Sequence, residues 1–164
     1  MSPEQLAKRG PGQGVVCGSI AVRADLPRVS GSAGGLLTPL LEFDSAGQEL
    51  SVRGKRCESS AATHQLVVPV GSEIEFAAAL DAGQYCFCEV LVLGTTQPVH
   101  VRVVFDVEPG TVRYIGRLVV RVADVIGPED AMAIAVEAAT PAAVDELCRT
   151  RGLTLASTHL MTAN

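Results

Sequence analysis

Apolar and polar residues alternate along much of the chain between Glu73 and Val122. From Glu73 to Leu80, Ile74, Phe76, Ala78 and Leu80 share one face, and Glu73 and Glu75 take the other. From Val99 to Val107, Val99, Val101, Val103, Phe105 and Val107 oppose His100, Arg102, Val104 and Asp106. A period of two is that of a half-buried strand. It also specifies register, because a slip of one residue would turn the whole apolar set to water. Each large side chain so exposed would cost roughly 1.5–3 kcal/mol. Less regular versions of the pattern predict further strands over 14–22, 36–43, 48–53, 65–70, 85–93 and 112–122.

The segments between these runs are short and rich in turn formers. Asp44-Ser45-Ala46-Gly47 joins two strands as a glycine-containing hairpin loop. Residues 27–35 and 54–63 are too rich in Gly, Ser and polar residues for strand interiors. One turn phrase occurs twice: Asp81-Ala82-Gly83 ahead of Tyr85, and Glu108-Pro109-Gly110 ahead of Tyr114. Each places a tyrosine at the entry of the next strand, as in the tyrosine corner of β-sandwiches, where the hydroxyl bonds back to upstream backbone. With no helices between the strands, the pattern is antiparallel rather than βαβ.

The tail changes character. Gly127-Pro128-Glu129-Asp130 reads as a helix start, and Ala131–Ala139 is built of good helix formers. Thr140-Pro141 starts a second short helix with Val144, Leu147 and Cys148 on one face and Gly152 as its stop. The expected fold is therefore mainly β: a single antiparallel β-sandwich of about seven to nine strands, Ig-like or prealbumin-like, with two short C-terminal helices. The expected organisation is a flexible leader over 1–13, the sandwich over 14–126, and a helical tail over 127–164 packed on the sandwich.

Composition narrows the function classes. The 164 residues, 48% of them hydrophobic, are enough for one domain with a sizeable core. A net charge of −5 gives no basic footprint for nucleic acid. No apolar run reaches the roughly 18 residues of a membrane span, and Met1–Gly10 lacks the apolar core of a signal peptide. Five cysteines, an odd number, leave at least one thiol unpaired. Most are expected as buried free thiols in apolar patterns.

Three sets of residues could carry chemistry. Cys86-Phe87-Cys88 places two thiols two apart on a strand, with Val90 and Val92 in the same phase. The pair is expected in the apolar core; alternatively, with His100, it forms a soft-metal or redox site. Arg113, Arg117 and Arg121 fall in phase along the last strand. His100 and Arg102 would join them if the two strands pair through the Gly110 turn, making a face for an acidic protein or glycan partner. The plainer alternative is a solvated sheet face. The tyrosines Tyr85 and Tyr114 are expected to be structural. Catalytic signatures are missing: there is no nucleophile elbow, zinc-protease motif or phosphate-binding loop. His64, His100 and His159 stand far apart, so a hydrolase would need a site assembled in space.

The phrases Leu80-Asp81-Ala82-Gly83-Gln84-Tyr85 and Phe105-Asp106-Val107-Glu108-Pro109-Gly110-Thr111-Val112-Arg113-Tyr114-Ile115-Gly116, with a tail reaching His159-Leu160-Met161, carry a resemblance. Over roughly residues 66–161 the chain resembles uncharacterised proteobacterial lipoprotein-like envelope β-sandwich proteins. The same Gly-x-Tyr turn is similar to prealbumin-like, carboxypeptidase-regulatory-like domains. The resemblance implies a non-enzymatic, envelope-associated binding or structural module without a cofactor. It implies a periplasmic or lipid-anchored location, or a cytoplasmic one if Met1 is the true start. Cys17 does not serve as a lipid-anchor cysteine, since no apolar stretch precedes it.

Overall fold

A computed structural model describes residues 4, 8–26, 43–44, 46–94, 98–123, 125–126 and 132–163. The predicted loop over 27–35, most of the predicted strand over 36–43, and residues 127–131 lie outside the described residues. The chain forms a β-sandwich. In chain order its strands are β1 (Gln13–Leu26), β2 (Phe43–Asp44), β3 (Glu49–Arg56), β4 (His64–Pro69), β5 (Glu73–Asp81) and β6 (Gly83–Val92). They continue with β7 (Val99–Val107), β8 (Val112–Ala123), β9 (Val125–Ile126), β10 (Ala133–Glu137), β11 (Ser157–Thr158) and β12 (Thr162–Ala163). The helix α1 (Pro141–Arg151) lies between β10 and β11.

The first sheet has the order β10-β8-β1-β5, with β11 also on β8; the second has the order β12-β7-β6-β3-β4. β2 and β9 form a separate short ladder. Most pairs are antiparallel as expected, but β8 runs parallel to β1 and to β11, so the first sheet is mixed. The inner faces meet in one core that includes Ile20, Leu50, Val68, Phe76, Val90, Phe105 and Leu118. The predicted alternations hold: Phe76 and Leu80 on β5, and Val103, Phe105 and Val107 on β7, all point into it. β1 is buried on both faces. Val16, Ile20 and Val22 join the central core, while Val15 and Cys17 pack with Val144, Leu147 and Cys148 of α1.

Neither copy of the turn phrase joins two paired strands of one sheet. Asp81-Ala82-Gly83 leads from β5 in the first sheet to β6 in the second, and Glu108-Pro109-Gly110 leads from β7 back to β8. They are corners that carry the chain across the sandwich. The second corner is held by Gly110 N–H on Gln13 C=O (2.9 Å) and Val15 N–H on Thr111 C=O (2.8 Å). Gly14 allows this approach, because a Cβ there would stand 2.2 Å from the Glu108 carbonyl oxygen.

The tail is corrected in part. The second predicted helix is present. Thr140 caps it by accepting from Ala143 N–H, Gly152 ends it, and Val144, Leu147 and Cys148 are buried. The first predicted helix is not: Ala133–Glu137 is strand β10, paired with Arg117–Arg121 of β8. The alanines favour helix, but Ile134 and Val136 alternate and pack against the core, and β8 presents an open ladder that a helix could not satisfy. Residues 157–163 then supply β11 to the first sheet and β12 to the second, with Met161 buried between them. The tail is therefore part of the sandwich and covers two of its edges.

Candidate functional site

Five rings form a continuous chain through one side of the sandwich. Phe76 meets Phe87 edge-on at 6.0 Å between centroids, Phe87 meets Phe105 at 5.6 Å, Phe105 stacks on Tyr85 at 6.0 Å, and Tyr85 faces His64 at 6.4 Å. Alternation places them there: Phe76 points inward from β5, Tyr85 and Phe87 from β6, Phe105 from β7. Such geometries favour aromatic pairs beyond the area they bury.

These rings line a cavity of about 380 Å³ that opens between β4 and β5. β4 is the last strand of the second sheet and β5 the last of the first. Val16, Leu66, Ala78 and Leu80 complete its apolar wall; His64, Gln65, Glu75 and Arg151 stand among its polar lining residues. Arg151 ends α1 and donates to the Glu75 carbonyl oxygen at 3.4 Å. The volume falls within the range of small-molecule sites, about 300–1,000 Å³. An apolar wall with a few polar groups among its lining residues suits an apolar ligand with a polar terminus.

Tyr85 keeps the corner role expected of it. Its hydroxyl donates to the Asp81 carbonyl oxygen at 3.1 Å, and burial pushes the phenol up, so it stays a protonated donor. Tyr114 behaves differently. It sits under α1 beside Cys17, and burial pushes its phenol up.

The predicted arginine face is divided. β8 carries a bulge at Gly116, in the left-handed region at φ 105°, where its register against β1 shifts by one. The phase of the strand reverses there: Ile115 and Leu118, three apart, both enter the core. Arg113 therefore shares its face with Ile115, and Arg117 and Arg121 take the opposite face. Each guanidinium meets a carboxylate: Arg113 with Glu108 at 2.5 Å, Arg117 with Glu73 and with Glu137 at 3.6 Å, Arg121 with Asp25 at 2.7 Å. His100 and Arg102 do not join them. β7 pairs with β6 and β12, in the other sheet. His100 is exposed and stands 3.9 Å from Glu89.

The cysteine expectation is also revised. A register shift in β6 beyond Phe87 reverses that strand too, so Tyr85, Phe87, Val90 and Val92 face the core. Cys86 is on the outer face, and the Cys88 thiol donates to the Arg53 carbonyl oxygen at 3.5 Å. Among the described residues no three His, Cys, Asp or Glu side chains are grouped to hold a metal, so Cys86, Cys88 and His100 do not converge. All five thiols are free. The pairings that sequence reasoning missed are Cys17 with Cys148, which pack in one cluster beneath α1, and Cys57 with Cys86, which are neighbours across the β3–β6 ladder. Burial, then Cys148, pushes Cys17 up to about 12.

The chain matches no protein-family model, no curated protein and no solved structure.

Proposed function

We propose that the protein is a non-catalytic binding module whose ligand is a small apolar molecule with a polar end, held in the cavity between β4 and β5. The observation that carries this reading is the ring chain from Phe76 to His64, which lines the cavity from the core to its polar residues. Aromatic rings supply a large apolar surface at low entropic cost, and the cavity's position between two sheet margins offers a route of entry. Envelope association belongs to the same proposal and is supported by the sequence resemblance alone.

The test is titration with the fluorescent apolar anion anilinonaphthalene sulfonate. One saturable site is expected. Ala78 lines the cavity from β5 and is half-buried, so Ala78→Phe fills the space while leaving the five rings in place. That variant should lose the binding and keep its melting temperature. Binding that survives Ala78→Phe, or that never saturates, would sink the proposal.

A further inference from the structure

The outer face of the second sheet brings two cysteines together from strands that are distant in sequence. In the β3–β6 ladder, Lys55 lies opposite Cys86 and Arg56 opposite Tyr85. Cys57 extends this ladder by one step, its N–H donating to the Gln84 carbonyl oxygen at 2.8 Å. Cys57 and Cys86 are thus diagonal neighbours on one face of an antiparallel pair. Cys86 is 7% exposed and Cys57 is half-buried, so the pair is sheltered yet reachable. Arg102, exposed on the adjacent strand β7, contributes a positive charge near Cys57, which Asp106 opposes.

We propose that Cys57 and Cys86 form a two-coordinate site for a soft monovalent cation of the copper(I) or silver(I) class. Thiolates are the soft ligands that select such ions. Spacing favours a bridging ion over a direct bond. Diagonal positions stand about 7–8 Å apart at Cα, beyond the roughly 4.4–6.8 Å of most disulfides. Two metal–sulfur bonds of about 2.3 Å each span a wider gap than a single sulfur–sulfur bond. Coordination number favours it as well. Among the described residues no third His, Cys, Asp or Glu completes the set, whereas structural zinc takes four ligands. The balance is two thiols plus one cation giving a bis-thiolate complex of charge −1 and two released protons, with no change of oxidation state. Arg102 stands where it offsets that negative charge. Because protons are released, binding strengthens as pH rises.

The experiment uses the full chain, reduced and kept anaerobic, titrated with copper(I) against a chromophoric copper(I) chelator. One equivalent is expected to bind. Cys57→Ser and Cys86→Ser should each weaken it by at least about tenfold, while Cys88→Ser and Cys17→Ser leave it unchanged. Zinc(II) should fail to displace the bound copper. Cys57 is half-buried at a strand end, so Cys57→Ser should unfold at the wild-type temperature and separate loss of a ligand from loss of fold. X-ray absorption on the loaded protein should show two sulfur neighbours. Copper binding that persists in a folded Cys57→Ser protein, or that follows Cys17 and Cys148, or that zinc(II) displaces, overturns the assignment.

Discussion

Tyr85 shows how much one side chain does here. Its ring belongs to the aromatic chain, while its hydroxyl ties the β5–β6 corner to itself through Asp81. Tyr85→Phe keeps the first role and removes the second. It should cost about 0.5–1.5 kcal/mol in urea unfolding, the net value of one hydrogen bond. The exposed ion pairs act at the same scale. Hydrogen bonding to Arg121 holds the Asp25 carboxyl below its ordinary 3.8, and Arg149 holds Glu146 below 4.5. A carboxyl lowered by folding stabilises the protein while it is ionised, and that stabilisation disappears as pH falls through its folded value. The stability advantage of wild type over Arg121→Gln should therefore be constant near neutral pH and shrink once pH drops below 3.8. A gap that widened on acidification would contradict this sign. The Tyr85 corner was legible because turn residues and a strand-entry tyrosine are local signals. The arginine pairing was not, since Asp25, Glu73 and Glu137 reach β8 only through the sheet order.

At the level of elements, strands and α1 were legible where the pattern of the chain is long and regular. Strand phase was lost at two places, Gly116 on β8 and the residues after Phe87 on β6. One extra residue on one side of a ladder reverses every side chain beyond it, and alternation in a single strand does not report its partner's count. That is why Arg113 left the stripe and Cys86 left the core face. β10 was misjudged for another reason: helix propensity is weak, and an unsatisfied strand edge overrides it. Leu147 is 2% exposed and anchors α1 over Val15 and Cys17. Leu147→Ala should cost about 2–5 kcal/mol. Undocking of α1 should appear as faster thiol labelling of Cys17 and Cys148 at low denaturant, before the sandwich itself unfolds.

Over the whole molecule, the sandwich class follows from the alternation, but the assignment of strands to sheets does not. A corner and a hairpin can use the same Asp-Ala-Gly residues; which one forms depends on which strands later claim the ladder. The cavity has the same origin. Phe76, Phe87 and Phe105 each read as ordinary core residues, and only the sheet order, which ends on β4 and β5, brings them to one cavity with His64, Gln65 and Glu75.

The parallel pairing of β1 with β8 also bears on how the chain is made. β1 is buried on both faces, yet its partners follow late: β5 residues lie 52 to 68 positions downstream and β8 residues 97 or 98. At about 5–20 residues per second of synthesis, β1 emerges roughly 5–20 s before β8 exists to receive it. Until β5 emerges, a strand carrying Val15, Val16, Ile20 and Val22 has no partner, and until β8 follows it has a partner on one edge only. The second sheet, whose β3–β4 and β6–β7 hairpins pair locally, can assemble on the nascent chain meanwhile. Yield in a cell should therefore depend on translation speed and on holdase chaperones at β1, which neither the stability of the finished sandwich nor its ligand would reveal.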